Sequence, residues 1–335
     1  MSPALQIAVP SKGAMEESTL RFLGDCGLTV RRSNPRQYSA PMGTGKALQA
    51  VLQRAADIPQ KLAAGLVDVG ITGFDIYSEH MGDTEDVIVA VEDLGFARCS
   101  LVLAVPEAWL DVATMEDLVD VAAEFQQRGR SLRIATKFPR LVRQFLLRHG
   151  LVSHSLVEGT GALEIAPSMG YADLIADINE TGTTLRANHL KPLAGGTILR
   201  SQACMLVNRA RVASSSSRRE AIRGVLEMIE AHQRARDLVS ITANVEGADM
   251  RQVAEMVLRR RDLAGVRGPT LTPVFDPDQP DRVFAVTLVV STGQLAEAKD
   301  HLRACGGGAI TVQRPLYVFD EESALYARLQ DQLNR

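Results

Sequence analysis

The chain has 335 residues, of which 46% are apolar, and a formal net charge of −3 with acidic and basic residues interspersed. This balance gives no basic patch of the kind that binds nucleic acid or a membrane surface, so neither partner is expected. The length and apolar content predict two or three domains with sizeable cores. The four cysteines are far apart and form no C-x-x-C pair, which favours reduced thiols in the cytoplasm over a zinc site or disulfides.

The first segment predicts a strand and a helix that meet at a polar corner. Residues 5–9 are an apolar strand, P-S-K-G interrupts it, and a helix follows. The sequence opens almost directly on this strand and contains no run of about 18 apolar residues, so we expect no signal peptide and no membrane span. Lys12 at the helix start suits a phosphate, and a solvated turn lysine is the alternative.

The next segment predicts a second corner of this kind. Residues 31–46 are polar and loop-like, and an apolar stretch at 47–52 leads to R-A-A-D-I-P. Asp57 can cap a helix that has a proline in its first turn, but capping does not explain Arg54. Arg54 is therefore either an anion clamp or a solvated side chain. A buried strand at 66–73 then ends in a tight turn at Thr72. The ends of such strands line the ligand-binding crevice of open α/β sheets.

The following segments alternate between strands and helices. Strands are predicted at 87–91, 100–105, 133–136 and before 158, and helices at 115–128, 140–149 and 162–169. This alternation predicts an α/β fold with parallel sheets. Two such sheets joined by crossing chain segments would leave a cleft. Four anion-friendly corners could converge there, around Lys12, Thr72, Thr160 and Thr183.

The stretch at 171–188 carries the densest chemistry. Asp173 and Asp177 lie four residues apart in a predicted strand, so they share a face. Glu180 ends the strand, T-G-T-T follows at 181–184, and a helix starts near Leu185. Backbone amides, threonine hydroxyls and a glycine at a helix start suit a phosphate, while the carboxylates suit sugar hydroxyls or a shared Mg²⁺. The alternative is a plain turn with a helix cap.

The last third predicts a separate module. A serine run at 214–217 precedes an amphipathic helix and marks a boundary. Segments between 238 and 313 then follow the order β-α-β-β-α-β, which is the ferredoxin-like plan. Many such modules bind a small effector or pair edge to edge, so a regulatory role is expected by analogy. A charged helix at 321–333 has no evident purpose.

Several of these segments together resemble one family, the ATP phosphoribosyltransferase of histidine biosynthesis in its long form. The matching segments are A-V-P-S-K-G, R-x-x-D-I-P, D-V-G-I-T-G, A-T-K-F-P, E-x-A-P at 164–167 and A-D-L-I-A-D-I-N-E-T-G-T-T-L-R-A-N. G-P-T-L-T-P, V-F-A-V-T-L-V-V and G-G-A-I resemble its C-terminal regulatory domain. The region 34–45 and the tail after Tyr317 depart from the family pattern.

The resemblance implies two periplasmic-binding-protein-like lobes around a cleft and a ferredoxin-like regulatory domain. The implied boundaries are lobe I at 1–98 and 190–212, lobe II with the substrate loop at 99–189, a linking helix at 213–236, the regulatory domain at 237–318 and a C-terminal helix at 319–335. The implied reaction joins N1 of ATP to the ribose C1 of phosphoribosyl pyrophosphate (PRPP), releasing pyrophosphate with the help of Mg²⁺. The family also implies inhibition by histidine and a homo-oligomer, dimer to hexamer, that needs no separate regulatory subunit.

The resemblance and the residue chemistry together give candidate roles. Carboxylates near the ribose and donors near the phosphates suit a transfer through a cationic sugar with a departing pyrophosphate. The catalytic candidates are Asp177, Glu180 and Asp173, and the first two are also the metal candidates. The remaining candidates are Thr181, Gly182, Thr183, Thr184 and Lys12 for PRPP, Arg54 and Lys12 for ATP or its phosphates, and Thr270 and Ala309 for regulation.

Two other classes of function stay open at this point. The chain could be a cytosolic protein that binds or senses an anionic metabolite without catalysis, or the non-catalytic partner of another enzyme. The carboxylates before T-G-T-T argue against both, because a site for phosphate alone does not favour negative neighbours.

Overall fold

The protein is described by a computed structural model covering residues 4–34, 36–44, 47–82, 84–159, 161–275 and 282–334. The chain divides into two compact units, one formed by residues 1–222 with 325–335 and the other by residues 223–324. Thr160, one of the predicted anion-friendly corners, lies outside the described residues. Across the described ranges, no helix has the length and apolar character needed to cross a bilayer.

The first unit alternates strands and helices, as the sequence predicts. Its elements in chain order are β1 Leu5–Pro10, α1 Gly13–Asp25, β2 Ser39–Pro41, β3 Leu48–Gln53, α2 Ile58–Ala63, β4 Val69–Gly73, α3 Phe74–His80, β5 Val87–Val91, β6 Cys99–Pro106, α4 Met115–Gln127, β7 Leu132–Thr136, α5 Pro139–Arg148, β8 His154–Glu158, β9 Leu174–Asn179, α6 Thr183–Ala187, β10 Leu190–Ser201, β11 Ala203–Asn208 and α7 Arg209–Ala213. Helix α8, Ser216–Arg236, begins in this unit.

These strands form two open sheets, and both are mixed rather than parallel. The first sheet has the order β2-β3-β1-β4-β11-β5, and the second has the order β10-β6-β9-β7-β8. β1, β3 and β4 are parallel, as are β7, β8 and β9, whereas β6 and β11 run antiparallel to their neighbours. The expectation of purely parallel sheets is therefore wrong. The chain passes from β5 to β6 and from β10 to β11 without the helix that a parallel crossover needs.

Two further expectations from the sequence are also corrected. Residues 190–212 were expected in lobe I, but Leu190–Ser201 pairs with β6 in the second sheet, and only the strand after residue 202 joins the first sheet. The helix expected at 162–169 is reduced to a short 3₁₀ turn, Leu163–Ile165. Pro167 explains this, because it has no backbone N–H to donate to the Leu163 carbonyl, as continuation into an α-helix would require.

Apolar side chains on the strands and helices make each sheet rigid. In the first sheet, Ile7, Ile71 and Leu206 are fully buried. In the second, strand residues Leu101 and Leu103 belong to one core cluster with helix residues such as Leu118 and Leu146. Rigid strands fix the loops that follow their ends, and those loops carry the polar residues of interest.

Helix α4 shows how a local signal starts a helix in this chain. Thr114 is its N-cap residue, and the Thr114 hydroxyl accepts a hydrogen bond from the Asp117 amide at 3.2 Å. The Asp117 carboxylate accepts from the amides of Ala113 at 2.9 Å and Thr114 at 2.8 Å. These bonds satisfy amides that a helix start otherwise leaves without acceptors.

The second unit has the predicted ferredoxin-like order, which confirms that part of the fold class. Its elements are β12 Leu238–Glu246, α9 Met250–Val257, β13 Thr270–Val274, β14 Val283–Ser291, α10 Leu295–Ala304 and β15 Gly308–Gln313, and α11 Ala324–Leu333 ends the chain. The sheet is antiparallel with the order β13-β14-β12-β15. Alternate residues such as Ile241 and Leu288 are buried against the helix residues Val253 and Leu302.

Candidate functional site

A pocket of about 300 Å³ opens where β9 ends and α6 begins. Its lining is formed by one continuous run of chain and one glutamate from the 3₁₀ turn: Asp177, Ile178, Asn179, Glu180, Thr181, Gly182, Thr183, Thr184, Leu185 and Glu164. β9 lies between β6 and β7, so the pocket sits at the centre of the sheet edge. The structure therefore brings together most of the residues that the sequence singles out.

The loop at the pocket has the backbone shape that its glycine allows. Gly182 has φ of 76°, in the left-handed region, and its amide donates to the Asn179 side-chain oxygen at 2.8 Å. The hydroxyls of Thr181 and Thr183 lie 3.0 Å apart. Amides of the first turn of α6 have no acceptor within the helix, so they can donate to an anion in the loop.

A cation that the sequence analysis missed lies beside this loop. The Arg186 guanidinium donates to the Thr181 carbonyl at 3.3 Å, and a methyl group placed on Gly182 would lie 3.0 Å from its Nη1 atom. Arg186 belongs to the quoted segment T-L-R-A-N, but its position in a helix gave no signal that it would fold back. It adds positive charge next to the threonine cradle.

Asp177 is the carboxylate best placed inside the pocket. Burial raises its pKa above the ordinary aspartate range, and the charge of Glu164 raises it further. The Ile178 amide, which donates to the carboxylate at 2.8 Å, and the charge of Lys137 work in the opposite direction. Glu180 is more exposed, at the pocket rim. The two carboxylates thus offer one half-buried and one solvated oxygen donor.

Lys137 is a second cation that the candidate residues omit. Thr136 on β7 pairs with Ala176 on β9. Lys137 and Asp177 are the next residues along these two segments, so they follow paired positions at the same sheet edge. Its charge acts on the pKa of Asp177, and its side chain is exposed. The signal was present in A-T-K-F-P, a segment quoted for the resemblance but not converted into a role.

Asp173 lies outside the pocket, although it was expected to take part in catalysis. It precedes β9, at the end of the strand away from the pocket, and it does not line the pocket. Its carboxylate accepts three bonds from Arg133: from the backbone amide at 2.8 Å, from Nε at 3.2 Å and from Nη2 at 2.9 Å. Arg130 lies 3.5 Å away. A carboxylate engaged in this way ties β9 to β7, and this geometry favours a structural role for Asp173 over the expected catalytic one.

Lys12 and Arg54 lie together on the other sheet. Pro10 pairs with Gln53, so the two cations follow adjacent strand ends of the first sheet, and both are exposed. They do not line the pocket at β9. Thr72, at the next strand end, donates its hydroxyl to the Ala55 carbonyl at 2.9 Å and is fully buried, so that hydroxyl is already engaged.

A second pocket of about 350 Å³ adjoins the first. It shares Asn179 and Glu180 with the first pocket and is otherwise lined by residues of the two crossing segments: Asp93, Arg98, Cys99, Ser100, Arg200, Ser201 and Gln202. Burial, and then the charge of Asp75, raises the pKa of Cys99 to about 11. That thiol is therefore protonated at neutral pH and is a poor nucleophile.

Thr270 and Ala309, expected in one effector pocket, lie on opposite edges of the second unit's sheet. Thr270 is on β13 and Ala309 on β15, three strand spacings or about 14 Å apart. Within one chain the two residues are therefore too far apart for one small pocket, and their regulatory role stays a prediction. Ala309 has φ of 48°, and the pairing of β15 shifts register beside it.

The residues present suit a metal ion shared with a substrate. Within the described ranges no cluster of three or more metal-binding side chains occurs, so a cage built by protein alone is not found there. Mg²⁺ is commonly held by one or two carboxylates together with substrate phosphates and water. Asp177 and Glu180 beside a phosphate-sized loop fit that arrangement.

Comparisons with known proteins identify the family of the chain. A family model described as ATP phosphoribosyltransferase matches residues 54–231, and one described as the HisG C-terminal domain matches residues 235–314. The chain is 37% identical over 332 residues to the ATP phosphoribosyltransferase of Bradyrhizobium sp. (strain ORS 278), covering 98% of each chain. It is 35% identical over 334 residues to the chloroplastic ATP phosphoribosyltransferase 2 of Arabidopsis thaliana, covering 98% of this chain and 80% of the relative.

A solved structure is similar to part of the chain. This is the ATP phosphoribosyl transferase (HisG:HisZ) complex from Thermotoga maritima, with a TM-score of 0.52 and 27% identity. The match covers 67% of this chain and 95% of the solved chain.

Proposed function

We propose a reaction from one premise, which is that the chain belongs to the ATP phosphoribosyltransferase family. The reaction joins N1 of ATP to the ribose C1 of PRPP, with release of pyrophosphate, as the first step of histidine biosynthesis. The observation that carries this proposal is the pocket at the end of β9, where two carboxylates precede a threonine-glycine loop. A sugar phosphate needs both kinds of group, and the loop is the right place for its 5′-phosphate.

Different residues of the pocket are assigned to different parts of PRPP. The amides and hydroxyls of Thr181 to Thr184 bind the 5′-phosphate, and Arg186 adds charge beside them. Asp177 and Glu180 face the ribose hydroxyls and balance the positive charge that develops on the sugar. Asp177 and Glu180 would hold Mg²⁺, and the ion would supply positive charge to balance the departing pyrophosphate.

We assign ATP to the adjoining pocket. The two pockets share Asn179 and Glu180, so N1 of an adenine in one and C1 of a ribose in the other can meet at the shared wall. N1 carries its own lone pair, so no side-chain nucleophile is needed. The thiol of Cys99, which is protonated and therefore a poor nucleophile, is consistent with this. Lys12 and Arg54, exposed at the other sheet edge, are assigned to ATP or pyrophosphate phosphates. Alignment of the two substrates supplies much of the rate.

Regulation is assigned to the second unit. We infer inhibition by histidine and assembly into a homo-oligomer, dimer to hexamer, from membership of the long form. The chain carries its own C-terminal domain at 235–314, so a separate regulatory subunit is not required. Thr270 and Ala309 remain the candidate residues for binding of histidine. None of the four cysteines, which all lie in the described ranges, forms a disulfide, and this supports a reducing compartment such as the cytoplasm.

The test is release of pyrophosphate when pure folded protein is mixed with ATP, PRPP and Mg²⁺. Turnover that needs all three components supports the proposal, and the product should carry the ribose on N1. Binding of PRPP by calorimetry without any turnover would favour the alternative, a protein that binds or senses an anionic metabolite. Absence of both would refute the assignment of the pocket.

A further inference from the structure

Helices α3 and α5 flank different sheets, and a side chain of each forms hydrogen bonds with backbone groups at the end of the other. The Glu79 carboxylate, near the end of α3, accepts hydrogen bonds from the amides of Arg140 at 2.8 Å and Leu141 at 3.0 Å, both in the first turn of α5. In return the Arg140 guanidinium donates to the Ser78 carbonyl at 2.6 Å. Each helix therefore supplies the cap that the other lacks.

The charges make this contact favourable. A helix carries partial positive charge at its N-terminus and partial negative charge at its C-terminus. Glu79 meets the positive start of α5, and Arg140 meets the negative end of α3. Glu79 is only 8% exposed, so water competes weakly for its bonds. Gly82 leaves room for the arginine, because a methyl group there would lie 2.5 Å from Nη2 of Arg140.

The other end of α3 is held at the segment where the chain crosses between the sheets. The Phe74 amide donates to the Gln202 carbonyl at 2.9 Å, and the Asp75 amide donates to the Ser201 hydroxyl at 2.9 Å. That hydroxyl donates in turn to the Asp75 carboxylate at 2.6 Å. Helix α3 is thus fixed at both ends, to the crossing segment and to the start of α5.

The start of α5 continues the turn that follows β7, next to the end of β9 where the pocket opens. Lys137 lies three residues before Arg140 and beside Asp177 at the sheet edge. Inside this turn the Phe138 amide donates to the Thr136 hydroxyl at 2.9 Å. Hydrogen bonds therefore hold the turn to the end of β7 on one side and to Glu79 on the other, and Lys137 lies between them.

We propose that Glu79 is a positioning residue, which uses its two bonds to the start of α5 to hold Lys137 at the pyrophosphate-bearing end of PRPP. The first sheet thereby supports a side chain that acts at the pocket of the second sheet. This inference rests on the proposed function for the identity of the ligand. Glu79 itself touches neither substrate.

The chain offers a matched control for this role. Asp117 also accepts two amide bonds at a helix start, but both come from residues directly before its own helix α4. We compare Glu79→Gln with Asp117→Asn. The Glu79→Gln variant should raise KM for PRPP about tenfold with kcat within about twofold, because Lys137 binds the same phosphate before and during the reaction. Asp117→Asn should leave both constants unchanged.

A double-mutant cycle separates positioning from general structural damage. In a Lys137→Met background, Glu79→Gln should raise KM for PRPP by less than about twofold, because the side chain that it positions is gone. Equal tenfold effects in both backgrounds would overturn the proposal, as would an unchanged KM in Glu79→Gln. If that variant fails to fold, Glu79→Asp, which is too short for both bonds, replaces it in the same cycle.

One measurement does not depend on catalysis, so it separates this proposal from the proposed function. Hydrogen exchange at the amides of residues 137, 138, 140 and 141 should be faster in Glu79→Gln than in the wild type and unchanged in Asp117→Asn. Without wild-type turnover the proposed function fails, and the exchange data alone decide whether Glu79 holds the turn. Unchanged exchange in Glu79→Gln would refute the positioning role of Glu79, whether or not the wild type shows turnover.

Discussion

Replacing Asp173 with asparagine should weaken the fold and spare the chemistry. The carboxylate accepts three bonds from Arg133, and the Asp173 amide donates back to the Arg133 carbonyl at 2.8 Å. The side chain of Asp173 is 10% exposed and that of Arg133 is 36% exposed, so the pair is partly screened by water. Bonds to charged groups contribute about 1.5–3 kcal/mol, and partial exposure favours a loss of about 2 kcal/mol of unfolding free energy.

The loss can be measured by thermal and denaturant unfolding. For a unit of this size, 2 kcal/mol corresponds to a fall in Tm of about 4–8 °C. The kcat/KM for PRPP should stay within about threefold of wild type below the melting range, because Asp173 lies at the far end of β9. A hundredfold loss of kcat/KM with an unchanged Tm would restore the catalytic role and refute this reasoning.

The effect should also depend on pH with a defined sign. Burial alone would raise the pKa of Asp173, but the bonds and charge of Arg133 outweigh it and hold the pKa below the ordinary value. A lowered pKa in the folded state stabilises the protein above the unfolded-state pKa of about 3.9, and the stabilisation is lost as pH falls through the folded pKa. The stability gap between wild type and Asp173→Asn should therefore be constant near pH 7 and close below about pH 4.

Three further predictions concern the pockets. Gly182→Asp strains a backbone with φ of 76° and puts a carboxylate in the phosphate loop, so calorimetry should detect no PRPP binding, whereas Gly129→Asp, at φ of 69° with open space, should still bind. Burial raises the pKa of Asp177, so wild-type kcat/KM should start to decrease with falling pH already above the ordinary aspartate pKa of about 3.9. Asp177→Asn should lack this decrease at acid pH, and its kcat should be about a hundredfold lower. Arg54→Ala should raise KM for one phosphate-bearing substrate about tenfold in steady-state kinetics, and two unchanged KM values would contradict its assignment.

Local sequence signals predicted the features that depend on neighbouring residues. The strand, small-residue loop and helix around Gly182 are adjacent in the chain, and so are the alternating apolar residues of the second unit. Their periodicity and turn chemistry therefore sufficed. The loop residues were predicted together for the same reason.

Features that depend on distant residues were missed or misplaced. Asp173 finds its partner 40 residues away, and Glu79 contacts residues 61 and 62 positions along the chain, so neither partner could be identified from spacing. β10 was assigned to the wrong sheet because its apolar pattern suits either one. The positions of Thr270 and Ala309 on opposite sheet edges could not be predicted, because strand order depends on pairing between distant segments.

The position of β11 has a consequence for synthesis on the ribosome. β11 lies between β4 and β5, so β5 has no place in the first sheet until residue 208 has been made. The 117 residues from the end of β5 to the end of β11 take roughly 6–23 s to translate at typical speeds. During that interval β4 has an open edge and β5 is an unpaired apolar strand, which is the kind of surface that aggregates or recruits a chaperone.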